Sequence, residues 1–202
     1  MIPVEKIYFL SGNPHKFQCA NPVFQSAGIT LMPLDPEIPE IQADTSLSIA
    51  KHGAEIASRM MHAPVLREDH SLFIDDFLDG RFPWPYGAYC DRYITAESLL
   101  PLLYPSPETS TRTGYFELGA YLAFPDGSGY ESVSGVRVEF SREIHGSWKN
   151  LDRILMIPWS GKTFAESDPS ERYHLFQENF RKILLDYSGK GVYIWDVLNG
   201  YW

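Results

Sequence analysis

The stretch FLSGNPHKFQ, Phe9–Gln18, decides the fold class of this chain. It leaves an apolar segment that begins at Lys6, turns within three residues to Gly12, Asn13 and Pro14, and then presents Lys16. An apolar run closed by turn residues reads as a strand, and the proline that follows reads as a helix start. A strand passing at once into a helix opens an α/β unit. The turn also leaves backbone N–H groups at the mouth of a sheet with an amine one turn further on, which suits an anion such as a phosphate. An ordinary strand–turn–helix junction has the same composition, so both readings stay open at this point.

Working outward, the sequence predicts a strand over Lys6–Leu10 and a helix over Pro14–Ala27 that Pro22 should interrupt, because proline removes an N–H and clashes one turn back. GITLMPL is a second strand. Asp44 or Thr45 caps a helix to about Met61, on which Leu47, Ala50, Ala54 and Ala57 recur at helical spacing. APVLRED is a strand ending in acids; DGRFPWPYGAY is a rigid loop before a helix around Thr95–Leu103; and PSPETSTRTG is an exposed connection. Two alternating segments joined by PDGSG form a long hairpin, which should build a second lobe over about 88–150. ILMIP is a short strand, DPSERYHLFQENFRKILLDY one amphipathic helix, and GVYIWDVL a closing strand.

Composition narrows the function. A chain of 202 residues that is 44% hydrophobic can bury a core as one domain or two closely packed lobes. Its formal net charge of −9 argues against a nucleic-acid polymer, whose phosphates need many Lys and Arg contacts. A small phosphorylated molecule remains compatible, provided a few cations converge and a divalent metal offsets the rest. No apolar run approaches a membrane span, and the N-terminus carries acid and base too early for a secretory signal, so a cytoplasmic location without membrane contact is expected. Cys19 and Cys90 lack C-x-x-C spacing and read as ordinary buried thiols. The six histidines show no metal-ligand spacing and read as surface or structural. P-loop, dinucleotide and nucleophile-elbow motifs are missing.

Several residues carry candidate chemistry. Glu68 and Asp69 close a strand, where open α/β sheets bind ligands, and as neighbours they point to opposite faces. One can enter a cleft while the other meets solvent or a structural partner. Glu40, between Pro39 and Ile41, offers a second acid; hard Mg²⁺ needs only one or two carboxylates when substrate phosphates complete its shell. Lys51 either pairs with Glu55 at i+4 on the helix surface or joins Lys16 at one polyphosphate.

Four pieces, SGNPHK, PEIQ, SIAK and VLREDHSLFI…GRFPWPY, occur in one order over roughly the first 90 residues and together resemble the inosine triphosphate pyrophosphatase family. Those enzymes hydrolyse non-standard purine nucleoside triphosphates to the monophosphate and pyrophosphate. The resemblance implies an elongated α/β fold with a mixed central sheet flanked by helices, two lobes and a cleft between them. It also implies a homodimer. By position it implies that Ser11, Asn13 and Lys16 form a phosphate loop, that Lys51 is the helix lysine, and that Glu40 and Asp69 hold Mg²⁺, Asp69 helping to activate water. Pro83, Pro85 and Tyr86 match a substrate loop, with Trp84 where glycine is usual. The C-terminal half departs from the pattern: of a segment that supports the purine only Asp152 is kept, Arg172 replaces a lysine, and a Ser-His-Arg element falls on Phe176, Gln177 and Glu178. The expected activity is thus a Mg²⁺-dependent nucleoside triphosphate pyrophosphatase with an altered base pocket. The alternatives are a catalytically silent descendant that binds a nucleotide or a protein, and an interaction module without a ligand.

Overall fold

A computed structural model describes residues 4–35, 38–39, 41, 43–75, 94–147 and 151–188. Its centre is a six-stranded sheet in the order β2-β1-β3-β4-β5-β6, built from β1 (Lys6–Leu10), β2 (Thr30–Leu34), β3 (Val65–Ile74), β4 (Thr113–Ala123), β5 (Gly129–Phe140) and β6 (Leu155–Met156). β1 pairs parallel with β2 and β3, while β3-β4, β4-β5 and β5-β6 are antiparallel, so the sheet is mixed as the resemblance implied. β2 holds Pro33, which cannot donate to a ladder and is tolerated because β2 is the edge strand.

The helices are α1 (Pro14–Ser26), α2 (Ser46–Met61), α3 (Ala96–Leu103), α4 (Pro169–Phe176) and α5 (Glu178–Ser188). Asn13, Thr45, Thr95 and Asp168 cap the first four, each accepting a backbone N–H. α1 runs through Pro22 instead of being interrupted there. The missing N–H costs roughly 3 kcal/mol. Burial of Val23 and Phe24 on the inner face offsets it, each contributing roughly 1.5–3 kcal/mol.

Two further expectations need correction. β3 continues five residues beyond Asp69, so the acids lie inside a strand rather than at its end. The predicted single C-terminal helix is two, separated at Gln177. The physical reason is that its apolar residues serve different targets: Phe176 stacks on His70, whereas Phe180, Ile183 and Leu184 join the cluster formed with Phe9, Phe24 and Leu66. Gln177 secures the break by donating from Nε2 to the Cys19 carbonyl. A second apolar cluster gathers α3 with Leu72, Ile74, Val138 and Phe140 on the same continuous sheet. The closing strand GVYIWDVL, Cys90 and the loop DGRFPWPYGAY lie outside the described residues. No described helix is long and apolar enough to cross a membrane.

Candidate active site

The site arises where β1 stops short. Its last partner on β3 is Arg67, so Glu68, Asp69 and His70 run past the end of β1 and, among the described residues, are paired on their other side alone, with Ala120, Gly119 and Leu118 of β4. Lys16, in the first turn of α1, reaches into this gap. Its Nζ donates to the backbone carbonyl of Glu68 at 3.1 Å and lies 3.9 Å from both Glu68 Oε2 and Asp69 Oδ1. Strand alternation sends the two carboxylates to opposite faces, and an amine at the open edge is one of the few positions that meets both. Asn13 caps α1 by accepting from His15 N at 3.0 Å, and Ser11 Oγ accepts from Asn13 N at 3.1 Å, so these two shape the turn.

A cavity of about 240 Å³ opens beside Lys16. Asn13, Lys16 and Asp69 line it beside the end of β1, while Phe116, opposite Leu72 further along β3, lines it together with Leu151 and Phe164. Arg172 on α4 and Asp152, on the 3-10 turn Leu151–Arg153, also line it and are joined at 3.2 Å. The Arg172 guanidinium lies 5.8 Å from the Phe164 ring centre, and its buried Nε has no hydrogen-bond partner among the described residues. A planar cation braced by a carboxylate and an aromatic face is oriented to receive a hydrogen-bond acceptor.

The wall between the two ends belongs to residues that sequence reasoning missed. Glu68 was expected to meet solvent or a structural partner; its side chain is fully buried. Its Oε2 is 2.7 Å from Nε2 of His70, and its Oε1 has no hydrogen-bond partner among the described residues. His70, read as surface or structural, stacks on Phe176 with ring centres 5.3 Å apart and planes 14° from parallel. Period-2 alternation places Glu68 and His70 on one face, a signal that was available in the sequence. Phe176 carried no such signal, because its direction depends on the helix break at Gln177. Cys19 also lines the cavity. Burial, seconded by the Glu68 charge and opposed by Arg172 and Lys16, pushes its thiol up to about 12, which makes it inert as a nucleophile.

Thus the structure brings Asn13, Lys16, Asp69, Asp152 and Arg172 to one cavity. Ser11 stands just outside it. Lys51 does not line it and does not pair with Glu55, which faces Arg59 at 4.0 Å instead; Lys51 Nζ sits 5.0 Å from the ring centre of Tyr121. Tyr121 and Gly119 are two apart on β4, and Gly119 is the partner of Asp69, so Lys51 and Asp69 share the α2 face of the sheet. Gln177 is turned to Cys19, and Glu178 pairs with Arg181 at 3.9 Å on the outside, so neither reads a base in the cavity. Glu40, Tyr86, Pro83, Trp84 and Pro85 lie outside the described residues. Among the described residues no group of three or more His, Cys, Asp or Glu forms a metal cage. The donors at the gap are hard carboxylate oxygens, which fit a divalent ion that takes one or two of them and completes its shell with phosphate and water.

With this geometry in view, comparison with known proteins is informative. The sequence model of the Ham1 family matches residues 7–176. A dITP/XTP pyrophosphatase from Ignicoccus hospitalis is 34% identical over 190 residues, covering 92% of this chain and 98% of the relative. One from Methanopyrus kandleri is 30% identical over 168 residues, covering 83% and 87%. Among solved structures, one described as a HAM1 protein from Coxiella burnetii superposes with a TM-score of 0.69 at 22% identity, covering 97% of this chain and 99% of that one, a likeness that speaks to the fold.

Proposed function

This chain belongs to the Ham1 family, and on that premise we propose that it hydrolyses non-standard purine nucleoside triphosphates, of the dITP and XTP kind, to the monophosphate and pyrophosphate. The observation that carries the reading is the Lys16 amine held between the Glu68 and Asp69 carboxylates at the mouth of a cavity whose far end is aromatic. Such a gradient from charge to apolar surface suits a molecule with a polyphosphate at one end and a flat ring at the other.

In the proposed mechanism the triphosphate lies over the open end of β1. Lys16 and Lys51 neutralise charge that develops on the phosphates, which lie against the Ser11–Asn13 turn. Lys51 has to leave the Tyr121 ring to do so, a motion within reach of a long exposed side chain. Asp69 orients or deprotonates the attacking water. Mg²⁺, held by Asp69 and Glu40, would polarise the phosphoryl oxygens and supply charge compensation when bound. Arg172, oriented by Asp152, meets the purine, with Tyr86 contributing from its loop. The base pocket is altered relative to the family pattern, because Phe176 occupies the place of a polar element. The same proposal includes a second lobe over about 88–150, supported by the long hairpin, a homodimer, supported by the family resemblance, and a cytoplasmic location, supported by the sequence pattern of the N-terminus.

The test is pyrophosphate release from dITP, XTP, ITP, ATP and GTP, each with Mg²⁺ and with chelator. We expect kcat/KM for dITP and XTP to exceed that for ATP by about tenfold or more and chelator to abolish turnover. No turnover of any member defeats the proposal. Nucleotide-dependent thermal stabilisation without turnover would instead support the silent binding protein, a reading that the position of Lys51 away from the cavity favours.

A further inference from the structure

We propose that His70 determines substrate specificity by contacting the nucleoside portion of the substrate, and that Glu68 and Phe176 are positioning residues that fix its ring for that contact. The inference deepens the pyrophosphatase reading and rests on it.

An imidazole side chain has two torsions, and both are constrained here. The hydrogen bond from Nε2 to Glu68 Oε2 at 2.7 Å fixes where the ring points. The nearly parallel stack on Phe176 fixes its plane. What is left is Nδ1, which has no hydrogen-bond partner among the described residues, on a side chain that is 22% exposed in the cavity wall. A ring so constrained presents one polar atom at a defined place, which is the requirement for reading a ligand rather than merely filling space.

Its position along the cavity says which part of a nucleotide it meets. Glu68, its partner, faces Lys16 at the polar end. On the other side the His70 ring centre is 6.1 Å from that of Phe116, which begins the aromatic end and stands 6.3 Å from Phe164. A ligand whose phosphates engage Lys16 must therefore carry its nucleoside past His70. The contact is with a hydrogen-bonding group of that nucleoside, a sugar hydroxyl or a base edge. A stabilising role alone explains the arrangement poorly: a fully buried carboxylate with one oxygen unmatched is a costly way to complete an aromatic wall.

The test compares His70→Ala, His70→Asn and His70→Gln in the full chain, with folding checked by circular dichroism and calorimetry used to measure binding of inosine monophosphate and of pyrophosphate. Asn keeps a polar atom where Nδ1 stood; Gln keeps one where Nε2 stood. For Ala and Gln we expect inosine monophosphate to bind about tenfold more weakly, with pyrophosphate changed less than about twofold, and for Asn to retain most of the nucleotide affinity. Deoxyinosine and xanthosine monophosphates assign the contact: a loss confined to ribonucleotides places it on the sugar, and one that varies with the base places it on the base edge. Retention by Gln with loss by Asn overturns the inference, since only the bond to Glu68 would then matter. Equal loss of both ligands, no loss of either, or no binding of inosine monophosphate to the unaltered protein also overturns it. Failure of hydrolysis is seen separately: a protein that turns over no triphosphate yet shows the split in binding refutes the enzymatic reading and leaves His70 in place.

Discussion

The proposed mechanism concentrates its chemistry on Lys16 and Asp69, and single substitutions there separate charge from shape. Replacing Lys16 with Ala removes the amine that faces both carboxylates, leaving like charges adjacent where phosphates must bind. We expect kcat/KM to fall by about 10²-fold, with only partial recovery in Lys16→Arg because a planar fork does not reproduce a point charge. Steady-state kinetics decide this; a change under about threefold in the Ala variant would remove Lys16 from the phosphate site. Asp69→Asn should lose about 10²-fold in kcat while its melting temperature stays within a few degrees, a combination that a folding defect does not produce. Cys19 makes the opposite kind of prediction. With its thiol raised to about 12 by burial, it stays protonated through the whole working range, so alkylation mapped by mass spectrometry at pH 8 should reach Cys19 only after unfolding. The sign follows for stability too: the unfolded thiol ionises near 9 and the folded one only near 12, so this group erodes stability as pH rises above about 9. Rapid labelling of the native protein at Cys19 would contradict the buried placement.

At the scale of elements, the contact that positions the site is α2 on β4. A Cβ at Gly119 would lie 2.2 Å from Leu47 N and 2.5 Å from its Cα, both backbone atoms that cannot step aside. Gly119→Ala should therefore lift the first turn of α2 from the strand that pairs with Asp69, destabilising the fold by roughly 2–4 kcal/mol in denaturant titration and lowering activity with it. Asp75 is a second element-scale device. Beyond the end of β3 it accepts from Thr113 Oγ1 of β4 at 2.6 Å and from Arg137 of β5 at 2.5 Å, and these interactions, Thr113 first, hold its carboxyl below the usual range. A lowered folded pKa means the contribution is present at neutral pH and lost on acidification through the acid range. Asp75→Asn should cost about 0.5–1 kcal/mol at pH 7, a difference that shrinks as acidification protonates Asp75 in the folded protein. Most elements were legible in the sequence because their signals are local: Thr45 and Thr95 at caps, Gly127 in the hairpin turn, alternation along β4 and β5. Pro22 and Gln177 were misjudged because their outcomes are set by tertiary burial, in one case forcing a helix through a proline and in the other splitting one that the apolar spacing had joined.

For the whole molecule, one continuous mixed sheet supports the two larger apolar clusters of the described residues, and the cavity lies against the strands that carry both. The polar end was readable in advance, since Asn13 and Lys16 follow a strand directly and Glu68 and Asp69 are adjacent acids shortly after the apolar run Ala63–Leu66. The aromatic end was not: Phe116, Phe164 and Phe176 come from three distant segments, and only the folded chain assembles them. The proposed reaction cleaves a triphosphate between its α and β phosphorus atoms. Phosphorus NMR of the products formed from dITP and Mg²⁺ decides this. Deoxyinosine monophosphate and pyrophosphate in equal amounts are expected; deoxyinosine diphosphate with orthophosphate, or an unchanged substrate, would rule the proposed reaction out.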